Sequence, residues 1–162
     1  MEFALNEAEK AFKKGEFPVG CVIVYQGRVV STGSRKGTMA GRGCISEIDH
    51  AEIRALKNLE KAGLEFDPVD AVLFCTMEPC LMCFAATILS GIKKIVYAYE
   101  DPMGGGTGCD FSKLTPLYRE SRITVVSGVL REKSLDFFKD FFKKEDNLYW
   151  KESLLEQYTL KQ

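Results

Sequence analysis

Four residues in two short stretches have the types and spacing of a catalytic metal site. His50 and Glu52 lie two positions apart, and Cys80 and Cys83 are the ends of a Cys-x-x-Cys element. One imidazole and two thiolates provide three ligands, the number that a catalytic zinc ion takes from a protein while its fourth position stays open for water. We therefore predict one zinc ion per chain, held by His50, Cys80 and Cys83.

The spacing of these residues predicts their roles. Cys80 and Cys83 are three residues apart, so they share one face of a helix. Pro79 is typical of the first position of such a helix. The partial positive charge at a helix N-terminus lowers the pKa of a thiol and favours the thiolate ligand. Glu52 does not share a helical face with His50, so we predict that it is a general acid and base beside the metal.

Each half of this pattern has another interpretation when it is taken alone. A lone Cys-x-x-Cys element can be a redox pair. Asp49 and Glu52 fit a capping box, in which Asp49 is the N-cap of a helix. The two halves together favour the metal site, because both have the correct internal spacing and each opens a predicted helix. His50 is also the only histidine in the chain, so no other imidazole is available.

The composition is typical of one domain with an ordinary core. The chain has 162 residues, of which 46% are hydrophobic, and we expect a single domain in which residues 148–162 form a helical tail. A net charge of −1 argues against a general attraction to nucleic acid. We find no signal peptide and no apolar run long enough to span a membrane, so we expect a cytoplasmic protein. Six cysteines are then more typical of thiols and metal ligands than of disulfides. Cys21 and Cys75 lie in apolar strand patterns and should be in the core, whereas Cys44 and Cys109 lie in loops and have no assigned role.

Hydrophobic periodicity predicts a three-layer α/β/α fold around a mixed five-stranded sheet. The predicted helices cover residues 2–14, 50–62, 80–89, 132–144 and 148–158, with a short helix within 111–118. The predicted strands cover residues 19–25, 28–32, 69–76, 94–99 and 123–127. The third strand is almost continuously apolar and should be central. The helix over 80–89 is apolar nearly all round and should be buried, and the last two strands can run parallel.

Two loops and the tail contain candidate binding residues. The loop over 33–48 is basic through Arg35 and Arg42, which predicts either a solvated loop or contact with a phosphate. The loop over 100–109 has four glycines, which permit close approach of the backbone and predict a pocket wall. In the tail, Trp150, Leu154 and Tyr158 repeat at helical spacing. They predict a helix that packs near the active site, or only on the core or at a dimer interface.

The residues around these motifs resemble a known family. The H-x-E and P-C-x-x-C pair is typical of zinc-dependent base deaminases. With Pro18-Val19-Gly20, the stretches 49–53 and 76–83 and the glycine loop over 99–109, it resembles the bacterial tRNA adenosine deaminase branch of the cytidine deaminase-like superfamily, over about residues 1–142. The resemblance implies zinc on the three ligands above and Glu52 as the proton shuttle. It also implies hydrolytic deamination of adenosine to inosine in tRNA, and a homodimer.

The resemblance leaves the substrate class open. Arg35 stands where the branch usually has an Asn that helps to hold the nucleoside, and Met103 stands where the tRNA enzymes often have a Lys, whereas Asp101 is retained. The alternative substrates are a free nucleobase or nucleoside, such as cytosine or guanine. A non-catalytic zinc-binding partner subunit is a third possibility, although such a partner should lack the acid/base residue. The expected substrate contacts are Arg35, Asp101, Met103, Gly104 and Trp150.

Overall fold

The computed structural model describes residues 1–39 and 45–162, so the predicted basic residue Arg42 and the unassigned Cys44 lie outside the described residues. The helices are α1 (Glu2–Lys13), α2 (Ala51–Ala62), α3 (Leu81–Leu89), α4 (Pro116–Arg119), α5 (Arg131–Phe142) and α6 (Leu154–Lys161). The strands are β1 (Gly20–Tyr25), β2 (Arg28–Ser34), β3 (Val72–Met77), β4 (Lys94–Tyr99) and β5 (Thr124–Val126). Short 3-10 turns cover Pro68–Asp70 and Phe111–Lys113.

The five strands form one mixed sheet in the order β2-β1-β3-β4-β5. β1 pairs antiparallel with β2 and with β3, whereas β3, β4 and β5 run parallel. The predicted mixed sheet, the central position of β3 and the parallel pairing of the last two strands are therefore confirmed. β3 begins three residues later than predicted, because the preceding residues Pro68–Asp70 form a 3-10 turn.

Helices cover both faces of the sheet, and two glycines show how closely they pack. A Cβ added to Gly20 in β1 would lie 2.1 Å from the carbonyl oxygen of Ala4 in α1. A Cβ added to Gly33 in β2 would lie 2.1 Å from the carbonyl oxygen of Ala51 in α2. Gly33 is paired with Cys21, the neighbour of Gly20, so the two glycines face opposite sides of the sheet. This confirms the predicted three-layer architecture.

Buried polar contacts tie the central strand to its neighbours. The Ser134 hydroxyl in α5 donates to the Thr76 carbonyl at 2.6 Å, and the Gly20 amide donates to the Thr76 hydroxyl at 3.0 Å. Cys21 and Cys75 are fully buried opposite each other in β1 and β3, which confirms their predicted place in the core.

In the ranges 1–39 and 45–162, the structure has no helix of the length and apolar character that crossing a bilayer requires.

Two helix predictions are wrong. α3 is buried on one side only, since Leu81 and Leu89 are 53% and 62% exposed. Its apolar composition therefore includes an exposed face, which a composition pattern cannot distinguish from a buried one. The last helix begins at Leu154 instead of residue 148, and the Ser153 hydroxyl accepts a hydrogen bond from the Glu156 amide as its N-cap.

The predicted stripe of Trp150, Leu154 and Tyr158 is also wrong. Trp150 precedes α6 and has a φ of 55°, which is incompatible with a right-handed helix. Leu154 is 55% exposed, and the buried apolar residue of this helix is Leu155. The segment still packs on the rest of the fold, through contacts that the periodicity did not identify.

Candidate metal centre and pocket

α2 and α3 begin close to each other, and the predicted metal ligands lie at their N-termini. His50 is the N-cap of α2 and Cys80 is the N-cap of α3, each with extended backbone. The positive ends of both helices therefore converge on this site. Pro79 precedes the N-cap, so its predicted place at the first helical position is wrong. The capping box is wrong as well, since His50, and not Asp49, is the N-cap and no side chain caps α2.

The three predicted ligands fit a zinc ion. His50 Nδ1 lies 3.6 Å from the sulfur of Cys80 and 3.5 Å from the sulfur of Cys83. All three ligand atoms lie within 4.8 Å of one another. Tetrahedral zinc with nitrogen at about 2.05 Å and sulfur at about 2.3 Å places those two ligands about 3.6 Å apart. The donor set of one nitrogen and two sulfurs thus has both the chemistry and the spacing of a catalytic zinc site.

The two thiols differ in how tightly they hold their protons. A hydrogen bond from Cys83 lowers the pKa of Cys80 to about 4, against the effect of burial and with help from His50. The same contact, together with burial, raises the pKa of Cys83. The contact therefore favours loss of the first proton from Cys80, and a cation bound between the two sulfurs would displace the proton of Cys83.

Glu52 is a buried carboxylate beside these ligands. Glu52 is only 3% exposed, and this burial raises the pKa of its carboxyl group. Its Oε2 has no hydrogen-bond partner among the described residues. A buried acceptor without a partner is unusual in a folded protein and indicates a functional role. The position agrees with the predicted acid/base residue and not with a helix cap.

The metal ligands open into a pocket of about 250 Å³. His50, Cys80 and Glu52 are in its wall, whereas Cys83 is fully buried and does not line it. All five predicted substrate contacts also line the pocket, namely Arg35, Asp101, Met103, Gly104 and Trp150. The lining residues that the sequence did not identify are Phe17, Val19, Glu47, Ala51, Met77, Glu78, Tyr149 and Leu155.

Hydrogen bonds to Glu78 hold the glycine loop over 100–109 beside the metal site. The Glu78 carboxylate accepts hydrogen bonds from the amides of Asp101 at 3.1 Å and Thr107 at 3.2 Å. The Gly106 amide donates to the Pro79 carbonyl at 2.8 Å, so the loop is pinned beside the first cysteine ligand. Glu78 directly precedes Pro79-Cys80, and this place in the motif is the only indication of its role in the sequence.

Asp101 shapes the same loop from within. Its Oδ1 accepts hydrogen bonds from the amides of Met103 and Gly104, both at 2.9 Å, and burial raises its pKa. These bonds fix the backbone of the two other loop residues that line the pocket. The predicted pocket wall is therefore an ordered turn, held by a carboxylate on each side.

Comparison with known proteins agrees with this geometry. Residues 1–99 match the family model described as the cytidine and deoxycytidylate deaminase zinc-binding region. The tRNA-specific adenosine deaminase of Bacillus subtilis is 34% identical over 143 residues, which are 88% of this chain and 86% of that protein. The tRNA-specific adenosine deaminase of Aquifex aeolicus is 34% identical over 151 residues, which are 91% of this chain and 94% of that protein.

Solved structures give the same result for the fold. A structure from a study of A-to-I editing by tRNA:A34 deaminases superimposes with a TM-score of 0.68 and 34% identity, covering 85% of this chain and 96% of the other. The guanine deaminase of Nitrosomonas europaea has a TM-score of 0.65 at 22% identity, covering 86% and 81% of the two chains. The second similarity shows a shared fold only.

Proposed function

Since the chain belongs to the cytidine and deoxycytidylate deaminase zinc-binding family, we propose that it is a zinc-dependent hydrolytic deaminase that converts adenosine to inosine in tRNA. One observation supports the chemistry above all others. Three ligand atoms at zinc spacing lie beside the buried carboxylate of Glu52, in a pocket of about 250 Å³. The substrate is supported by the two tRNA-specific relatives that match nearly the whole chain.

The chain's own groups provide the proton transfers. His50, Cys80 and Cys83 would hold a zinc ion, which would supply Lewis acidity and lower the pKa of a water molecule. Glu52 takes a proton from the attacking water and gives it to the ring nitrogen of the base. The water oxygen bonds to the ring carbon that carries the amino group. The Glu52 carboxylate then transfers the second water proton to the exocyclic nitrogen, the C–N bond breaks, and the C–O bond becomes the carbonyl of inosine. Water and adenosine are consumed, and inosine and ammonia are released.

The pocket is built to take a base and not a phosphate. Among the described lining residues, four carry carboxylates, and Arg35 is the only Arg or Lys. Carboxylates repel phosphate and accept hydrogen bonds from the N–H groups of a base. Its volume of about 250 Å³ lies below the usual range for small-molecule sites, about 300–1,000 Å³, as suits a single flipped-out base. The backbone of the RNA therefore stays outside.

The assembly and location form part of the proposal. A homodimer is supported by the exposed apolar face of α3, with Leu81 and Leu89, and by the exposed Leu117 of α4. Light scattering should give the mass of two chains, and the mass of one chain would contradict the dimer.

A cytoplasmic location follows from tRNA as the substrate. One deaminase domain over residues 1–162 is supported by Leu155 and Trp150, because these C-terminal residues line the pocket.

A substrate panel tests the proposed reaction. Zinc-loaded protein is incubated with a tRNA transcript that has an accessible loop adenosine, and separately with free adenosine, cytosine and guanine, and ammonia is measured. We expect release from the transcript, and binding to it that weakens as salt is raised, since phosphate contacts depend on counterion release. Ammonia from guanine or cytosine with none from the transcript would replace tRNA by a small substrate. No ammonia from any substrate would favour a non-catalytic partner subunit.

A further inference from the structure

A buried arginine links three separate parts of the chain at the pocket wall. The Arg35 side chain is 2% exposed. One of its terminal nitrogens donates to the Lys36 carbonyl at 2.7 Å, and the other lies 3.2 Å from the Tyr149 hydroxyl and 3.4 Å from the Glu47 carboxylate. The Tyr149 hydroxyl donates to Glu47 at 2.9 Å, which closes a triangle. We call Arg35, Glu47 and Tyr149 the Arg35 cluster.

The Arg35 cluster fastens the C-terminal segment (residues 148–162) to the entrance of the metal site. Arg35 follows β2, Glu47 lies three residues before His50, and Tyr149 belongs to the C-terminal segment. The Tyr149 ring packs on Phe17 at 5.4 Å between centroids and meets Trp150 edge-on at 5.6 Å. Phe17, Tyr149 and Trp150 all line the pocket, so the Arg35 cluster is in direct contact with the aromatic part of the pocket lining.

The backbone after Tyr149 is held in a sparsely populated conformation. Trp150 and Glu152 have φ of 55° and 62°, in the left-handed region that disfavours residues other than glycine. Such conformations persist where the surrounding contacts determine them, and they concentrate at functional sites. Beyond this turn, Thr159 contacts the Tyr99 hydroxyl at 3.0 Å and Tyr158 donates to Glu100 at 2.7 Å. Both ends of the segment are therefore fixed, with Trp150 between them at the pocket.

We propose that Arg35 is a positioning residue, which through Tyr149 holds Trp150 in the pocket wall as the aromatic surface against which the substrate base stacks. The hydrogen bonds of the Arg35 side chain are directed to the protein, and this favours positioning over direct contact with the substrate. Stacking on an aromatic side chain is sequence-tolerant and suits a base taken out of its helix. The inference rests on the proposed function for the identity of the base, but not for the coupling of Arg35 to Trp150.

The tryptophan itself reports the coupling without any substrate. Trp150 is the only tryptophan in the chain, so its fluorescence comes from this one position. Tyr149→Phe removes the hydroxyl and keeps the ring that packs on Phe17. We expect a red-shifted emission and stronger acrylamide quenching in Tyr149→Phe and in Arg35→Met. Tyr25→Phe is the control, because that hydroxyl contacts only the exposed Gln26 side chain among the described residues.

Kinetics on the loop-adenosine transcript separate positioning from general damage. Tyr149→Phe should raise KM about tenfold and leave kcat nearly unchanged. A tenfold change in affinity is at the lower end of what the loss of a hydrogen bond to a charged group causes. Glu47→Ala removes the acceptor of the Tyr149 hydroxyl and should raise KM as Tyr149→Phe does. In the double variant Arg35→Met with Tyr149→Phe, the second change should add little, because the two residues act as a unit.

The outcomes separate this inference from the proposed reaction. Altered Trp150 fluorescence in both cluster variants, with Tyr25→Phe unchanged, supports the coupling even if no RNA is deaminated. Unchanged emission and quenching in a folded Tyr149→Phe protein overturn it, even if deamination is efficient. Additive effects of Arg35→Met and Tyr149→Phe on KM would also overturn it, since the two residues would then act independently.

Discussion

Replacing Glu52 by Gln should remove catalysis and leave the protein at least as stable. The amide keeps the shape of the side chain and cannot take or give the proton. General acid–base groups contribute about 10²–10⁴-fold to rate. Because Glu52 serves several transfers in the proposed reaction, we expect kcat to fall toward the upper end of that range. Zinc content should remain about one ion per chain, since Glu52 is not a ligand.

The stability change has a sign that the structure determines. Glu52 is 3% exposed and its Oε2 has no partner among the described residues. An unsatisfied buried acceptor destabilises a fold by about 1–3 kcal/mol, and a charged one by more. A neutral amide relieves part of this, so we expect the free energy of unfolding to rise by about 1 kcal/mol. For a chain of this length, the midpoint of thermal unfolding should rise by about 2–4 °C.

Turnover, zinc content and melting should be measured on the same sample. Glu7→Gln is the matched control, because Glu7 is also buried, at 9% exposure, and pairs with Lys10 on α1 away from the pocket. The control should keep kcat. A Glu52→Gln protein with normal kcat and reduced stability would refute the acid/base role and show that the carboxylate has only a structural role.

Three further predictions follow from the site. His50→Ala should reduce zinc from about one ion per chain to nearly none by metal analysis, and an unchanged stoichiometry would contradict the ligand assignment. Deletion after Asn147 should lower turnover by roughly 10- to 100-fold with zinc retained, as expected for a misplaced pocket wall; unchanged kinetics would show that the segment has no part in the reaction. Gly106→Ala should lower stability by about 1–3 kcal/mol in denaturant unfolding, because the new Cβ would lie 2.6 Å from the Leu81 amide nitrogen. Gly108→Ala is its control, since nothing lies within 4 Å of that Cβ, and equal losses in both variants would contradict the loop packing.

The residues of the metal site could be predicted from sequence because the constraints within each half of the site are local. His50 opens one helix, and Cys80 and Cys83 are three residues apart at the start of another. A short motif fixes such geometry before any tertiary contact is known. The strand over 94–99 was also predicted with its observed bounds, since apolar β-forming residues occur there between turn residues.

The C-terminal wall of the pocket could not be predicted in the same way. Trp150 and Leu154 have helical spacing, yet Trp150 and Glu152 adopt a positive φ and α6 begins only after Ser153. The contacts that impose this turn are distant in sequence, and Tyr149 meets an arginine 114 positions away. Periodicity records local preference only, so it left the place of the segment open and assigned it the wrong structure.

Inosine formation at one position of an RNA tests the central claim most directly. A tRNA transcript with an accessible loop adenosine is treated with zinc-loaded wild-type protein and with the Glu52→Gln variant, and inosine is detected as guanosine after reverse transcription. We predict conversion of that adenosine by the wild-type protein and a rate lower by about 10²–10⁴-fold with the variant. An unmodified transcript, in a sample that contains one zinc per chain and deaminates guanine or cytosine, would contradict the account.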